Sequence, residues 1–180
     1  MTIYIGFLRG INVGGKNMLK MADLKRTLET MGFSSVQTYL QSGNFLLVSE
    51  EAAEPLHKRI EQKISSVFNI SPTVVLRTAE ELDRIITACP YAADALVEGE
   101  SIQLSLLTEV PPLQTTDILN KNKSEIDEFQ ILEREIYFLF RQSVLDSKLA
   151  SNVQKLGDIA TTRNWNTIVK LASLAKAIQA

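Results

Sequence analysis

The nine residues 9–17, R-G-I-N-V-G-G-K-N, combine three glycines, two cations and two asparagines. Glycine lets the backbone turn sharply and bring its N–H groups close to a ligand. Arg9 and Lys16 add positive charge, and cations together with backbone N–H groups bind anions such as phosphate. This segment therefore predicts anion binding. Its candidate ligands are Arg9, Gly10, Asn12, Gly14, Gly15, Lys16 and Asn17.

The same loop comes within one residue of the phosphate-loop motif G-x-x-x-x-G-K-[ST]. Gly10, Gly15 and Lys16 match, but Asn17 stands where a hydroxyl would coordinate Mg²⁺. An amide is a poor substitute for that hydroxyl, so we favour a looser anion-binding loop over a nucleotide hydrolase. The alternative is that the glycines only let the backbone turn, while the two cations are solvated or paired.

A second polar cluster occupies residues 161–167, T-T-R-N-W-N-T. We expect Thr161 or Thr162 to cap the last helix, whose first turn offers unpaired N–H groups. Arg163 and Asn166 would then share one helix face, where the guanidinium could hold a phosphate or carboxylate with two bonds. The candidate ligands are Thr162, Arg163, Asn164 and Asn166. The alternative is that these residues only tie the helix to the glycine loop.

A third polar segment, residues 41–44 with the sequence Q-S-G-N, lies between two predicted strands. Its composition favours a hairpin turn with Asn44 in a special backbone conformation. Ser42 and Asn44 are accordingly weaker candidate ligands than the residues of the first two segments.

The usual catalytic groups are sparse. His57 is the only histidine, and Glu54 and Glu61 flank it at helical spacing, which favours a solvated surface residue over a catalyst. One cysteine and one histidine give no metal-ligand spacing, so no metal site is expected. The sequence identifies no catalytic residue and no cofactor, and it leaves open whether the protein is an enzyme.

The hydrophobic pattern predicts an α+β fold made of two halves. In the first half, strands at 3–8, 36–40, 45–48 and 73–76 and two intervening helices give the order β-α-β-β-α-β, which is ferredoxin-like. In the second half, a strand at 102–107 covered chiefly on one face, a helix at 113–120 and strands at 129–132 and 136–140 repeat only β-α-β-β. Helices at 144–156 and 163–179 should close this incomplete half. The expected organisation is residues 1–77, a helical linker at 78–99 and residues 100–180, in one compact unit.

Composition limits the possible partners. The 180 residues carry 19 Lys and Arg against 21 Asp and Glu, so no global positive field draws the chain to nucleic acid. No apolar run approaches the roughly 18 residues of a membrane span. Cys89 stands alone, which fits a reducing compartment. We expect a cytoplasmic protein that does not bind membranes.

Three segments carry a resemblance to a known family: L-R-G-I-N-V-G-G-K-N, Y-L-Q-S-G-N and T-T-R-N-W-N-T. They resemble the signature segments of DUF1697, a bacterial family of unknown function, along essentially the whole chain. The resemblance implies two ferredoxin-like halves in a soluble cytoplasmic protein, with no established activity, cofactor or catalytic residue. Members often read Asn-Pro-Phe where this chain has Cys89-Pro90-Tyr91, which argues against Cys89 as a required nucleophile.

Two functional hypotheses follow. The first is that an anionic, phosphate-containing small molecule or nucleotide binds between residues 9–17 and residues 161–167. The second is an RNA-binding or protein-interaction module without catalysis, because RNA-recognition domains share the ferredoxin-like order. RNA is the less favoured partner, since strands 3–8 and 45–48 lack the aromatic pattern of such domains. A structural alternative is that the polar segments only lock the fold.

Overall fold

The computed structural model describes residues 1–179, in which strands and helices alternate. Short 3-10 helices lie at Ala93–Ala95 and Gly157–Ile159. The other elements are β1 Thr2–Arg9, α1 Met21–Thr30, β2 Ser34–Tyr39, β3 Asn44–Ser49, α2 Ala53–Phe68, β4 Thr73–Thr78, α3 Ala79–Thr87, β5 Ser101–Leu107, α4 Thr115–Asn120, β6 Glu128–Leu132, β7 Glu135–Phe140, α5 Lys148–Gln154, β8 Ala160–Asn164 and α6 Trp165–Gln179.

The chain forms two compact units. One contains Met1–Arg84 and the segment that begins at Lys170, and the other contains Ile85–Val169. Each holds a four-stranded antiparallel sheet, with strand orders β2-β3-β1-β4 and β6-β7-β5-β8. The predicted α+β class is confirmed. The boundary between the units falls inside the predicted linker 78–99.

The second half is not incomplete, so that part of the prediction is wrong. Residues expected to begin the last helix form β8 instead, which pairs with β5 through Leu106 opposite Thr161 and Leu104 opposite Arg163. Two adjacent β-branched threonines favour an extended backbone, and pairing with β5 provides hydrogen-bond partners for that backbone. The order β5-α4-β6-β7-α5-β8 therefore matches that of the first half.

The core of the first unit lies between its sheet and the helices α1 and α2. Leu24 and Leu28 of α1 and Ile60 of α2 are fully buried together with Leu47 of β3. Apolar residues at helical spacing in α1 and α2 face this core, but Val67 at the end of α2 is half exposed. The loop that follows β1 therefore ends where α1 begins, at Met21.

Both sheets are covered on both faces. Ile5, Phe7 and Arg77, which point away from the core described above, are buried as deeply as the core residues. In β5, Ser105 and Leu107 are as buried as their neighbours. The expectation that this strand is covered chiefly on one face is therefore wrong, because apolar residues follow one another at its end and both faces are removed from water.

Gly6 gives the first sheet a testable packing constraint. Gly6 lies opposite the buried Phe45, and a Cβ atom on it would lie 2.0 Å from Phe45 Cζ. We expect Gly6→Ala to lower the free energy of unfolding by about 1–3 kcal/mol because the ring must move in a close-packed core. Adding Phe45→Leu should recover part of this loss in a double-mutant cycle measured by urea denaturation. Strictly additive effects would contradict the steric explanation.

Candidate functional site

The loop between β1 and α1 has an unusual backbone. Five of its residues have positive φ: Gly10 (85°), Asn12 (54°), Gly14 (58°), Gly15 (74°) and Asn17 (52°). Val13 and Lys16 pair as an isolated bridge, and Lys16 N donates to Val13 O at 3.0 Å. Positive φ at both central residues is typical of the tight type I′ hairpin turn. The loop therefore contains a small hairpin with its turn at Gly14 and Gly15.

This geometry differs from that of a phosphate loop. The strand that precedes the loop, β1, has antiparallel neighbours on both sides, β3 and β4. The phosphate loops of nucleotide hydrolases follow a strand of a parallel sheet. The resemblance of residues 10–17 to that motif thus reflects the requirements of a hairpin turn.

Two asparagine side chains hold the loop in place. Asn12 Nδ2 donates to Leu19 O (3.0 Å) and to Gln41 O (2.7 Å), while its Oδ1 accepts from Leu19 N (2.7 Å). Asn17 Nδ2 donates to Gly10 O at 2.9 Å. Both candidate ligands therefore use their amides to fix the backbone.

The turn after β2 packs against the loop. A Cβ atom on Gly43 would lie 2.6 Å from Ile11 Cδ1, so only a glycine admits this contact. Leu8 N also donates to Gly43 O at 2.8 Å. Residues 9–19 and 40–44 thus form one structure, which we call the glycine-loop site.

The prediction for Asn44 is wrong in its conformation. Positive φ in this turn belongs to Leu40 (61°) and Gly43 (93°), while Asn44 is the first residue of β3. Its buried Nδ2 donates to Tyr39 O (2.9 Å) and to Ser42 Oγ (3.0 Å). Asn44 and Ser42 therefore bind each other and the turn.

The accessible part of the glycine-loop site is small and positive. Gly14, Gly15 and Lys16 are exposed, and beyond their sequence neighbours no atom lies within 4 Å of a Cβ placed on either glycine. Within residues 1–179, no carboxylate forms a salt bridge with Lys16. Arg9 is half-buried and already interacts within the chain. A ligand could thus approach Lys16 and the turn directly.

The segment 161–167 has a different structure from the one predicted. Thr162 and Arg163 belong to β8, so Arg163 does not share a helix face with Asn166, and neither threonine caps α6. Thr162 Oγ1 lies 2.6 Å from Ser105 Oγ, and Arg163 Nη1 donates to Thr162 O at 3.0 Å. Asn164 Oδ1 accepts from Gln103 Nε2 at 3.1 Å, and Asn166 is exposed. This segment belongs to the second unit and the glycine-loop site to the first.

The remaining reactive groups offer no second site. His57 Nδ1 lies 3.0 Å from Glu54 O in its own helix. Burial raises the pKa of the half-buried Cys89 thiol, which makes it a weaker nucleophile. Among residues 1–179, no three His, Cys, Asp or Glu side chains cluster as metal ligands, and no helix is long and apolar enough to cross a membrane.

Sequence reasoning missed the apolar part of the glycine-loop site. Val13 and Met18 are each 68% exposed, and Leu40 is half exposed. The signal for the hairpin was present, because a Gly-Gly pair between Val13 and Lys16 is a typical two-residue turn. The contact between Asn12 and Gln41 joins residues far apart in the chain, so no local pattern predicts it.

Comparisons with known proteins identify a family and a fold. The family model described as "Protein of unknown function (DUF1697)" matches residues 1–137, which include the whole glycine-loop site. No curated protein sequence matches the chain. A solved structure of a conserved bacterial protein from Streptococcus pneumoniae aligns over 97% of this chain and 98% of its own, with 19% identity and a TM-score of 0.76. At that identity the match shows a shared fold.

Asn12 should be essential for the shape of the loop. Asn12→Ala removes four hydrogen bonds, leaves Leu19 N and Gln41 O without their partner, and puts alanine at positive φ. We expect the free energy of unfolding to fall by about 2–4 kcal/mol, as measured by urea denaturation. Asn17→Ala is the matched control, because it loses one exposed bond and should cost about 1–2 kcal/mol. Equal losses in the two variants would contradict this role.

Proposed function

This chain belongs to the DUF1697 family of proteins of unknown function, and we propose that it binds an anionic, phosphate-containing small molecule or nucleotide at its glycine-loop site. The observation that carries this proposal is the exposed Gly14–Gly15 turn followed by Lys16, which has no acidic partner within residues 1–179. The proposal concerns binding and assigns no catalytic step.

Charge and backbone geometry favour phosphate as the recognised group. A lysine ammonium is a compact charge that binds phosphate, and Arg9 adds a second cation next to the loop. The tight turn with positive φ at Gly14 and Gly15 exposes backbone, and backbone N–H groups in such turns bind anions. The open space beside both glycines lets a phosphate oxygen approach these N–H groups.

A protein-interaction module is the second candidate. The exposed Val13 and Met18 favour it, because apolar side chains beside a cation suit a protein partner. RNA is less favoured. RNA-recognition domains stack bases on an exposed sheet face, whereas Ile5, Phe7 and Arg77 on the corresponding face of the first sheet are buried.

Three finer assignments belong to the same proposal. The order β-α-β-β-α-β and the sheet order β2-β3-β1-β4 support a ferredoxin-like fold for each half. A single, unpaired Cys89 supports a cytoplasmic location. The match to a protein of Streptococcus pneumoniae supports a bacterial origin.

A thermal-shift panel tests the binding proposal. The purified protein is heated with inorganic phosphate, nucleotides, sugar phosphates or short RNAs, and the same panel is repeated on Lys16→Ala. A ligand that binds only the folded state at a hundredfold excess over Kd stabilises it by about 2.7 kcal/mol, which raises Tm measurably. We expect one class of phosphate compound to raise Tm and Lys16→Ala to lose that shift.

The matched control is Lys63→Ala, another exposed lysine of the first unit. It should keep the full ligand-induced shift. The proposal is wrong if no anion raises Tm, or if Lys16→Ala and Lys63→Ala respond alike.

A further inference from the structure

One arginine joins three turns of the second unit. Arg141 Nε donates to Glu100 Oε2 at 3.2 Å, and Arg141 Nη1 lies 2.6 Å from Glu128 Oε2 and 2.7 Å from Ile126 O. Glu100 Oε1 in turn accepts from Val97 N at 2.9 Å. The turns 97–100, 124–128 and 141–147 therefore hold fixed positions relative to one another. We call them together the turn surface.

A buried carboxylate makes this surface rigid. Asp127 is fully buried, and its Oδ1 accepts from Arg141 N at 2.9 Å. Its Oδ2 accepts from Gln142 Nε2 and from Ser147 Oγ, both at 2.7 Å. Ser147 also caps α5 by accepting from Ala150 N at 3.1 Å. A buried charge with three donors is well satisfied, so the turn surface is a preformed structure.

Each of the three turns exposes an aliphatic side chain. Val97 is 65% exposed, Ile126 46% and Leu145 93%. A single exposed aliphatic residue is ordinary, but three on turns held by one network expose apolar surface in one region. A partner that covers such surface lowers the free energy, because apolar groups are removed from water.

The same region is acidic. The ranges 94–100, 123–128 and 141–148 contain seven acidic and three basic residues. Arg141 is already paired with two glutamates, while Glu98, Glu125 and Asp146 are exposed. A partner that covers the aliphatic residues therefore meets a negative rim, which attracts cations and repels anions.

We propose that the turn surface docks a basic amphipathic helix of a partner protein. Its apolar side would cover Val97, Ile126 and Leu145, and its lysines or arginines would face the acidic rim. The negative charge disfavours nucleic acids and acidic peptides as occupants. The proposal is independent of anion binding, because none of these residues belongs to the glycine-loop site.

A synthetic peptide tests this docking. The probe is a 14-residue helical peptide of Leu and Lys with its leucines on one face, labelled for fluorescence anisotropy and titrated with the full chain. The counter-probe has Glu in place of Lys. We expect the Lys peptide to bind with a Kd below about 1 mM, to bind at least tenfold more tightly than the Glu peptide, and to weaken as salt rises.

Paired variants locate the contact. Leu145→Ser should weaken binding of the Lys peptide about tenfold, because it removes the most exposed anchor. Leu113→Ser is the control: Leu113 is 97% exposed but lies outside the turn surface. Amide chemical shifts should move at 97, 126 and 145 and stay unchanged at 113. No binding at a millimolar concentration of the chain, equal binding of both peptides, or equal effects of the two variants would each overturn the proposal.

Discussion

The glycine-loop site depends on the four hydrogen bonds of one side chain, that of Asn12. Its amide bonds Leu19 at the end of the loop and also Gln41 in the next turn, which lies 29 positions from Asn12 in the chain. Without these bonds, a loop with three glycines would have many accessible conformations, and its five positive-φ residues would not be held in one of them. Because the Asn12 amide is hydrogen-bonded to backbone groups, the proposed ligand would contact the exposed Lys16 and the glycine backbone instead.

The second unit achieves rigidity by a different device. Its turn surface relies on charge: the buried Asp127 and the partly exposed Arg141 each collect several partners from turns distant in sequence. Removing the buried Asp127 would leave donors around it without a partner, which costs more than the bonds themselves contribute, whereas the exposed partners of Arg141 could bind water instead. The two units thus differ in surface charge: the first exposes Lys16, which has no acidic partner within residues 1–179, and the second exposes acidic side chains on its turns.

The sequence predicted what local pattern determines. Strand β1, the helices α1 and α2 and the hairpin of β2 and β3 follow from the spacing of apolar residues and from turn chemistry. Strand β8 was missed because Thr161 and Thr162 are equally good helix caps and strand formers. Its pairing with β5 joins Thr162 to Ser105, 57 positions away, and no local pattern contains that information. Composition predicted the candidate site, which stays a prediction, while the roles of its residues depend on the contacts of Asn12 with Gln41 and of Ile11 with Gly43.

The positive-φ backbone around Lys16 also affects how readily proteases cleave the loop. Trypsin cleaves after lysine and needs several residues on either side in an extended conformation. Gly14, Gly15 and Asn17 instead have positive φ, whereas extended backbone has negative φ, and the bridge between Val13 and Lys16 keeps the segment folded back on itself. The peptide bond after Lys16 is thus accessible to water and yet wrongly shaped for cleavage, so its rate of digestion reports how often the loop opens.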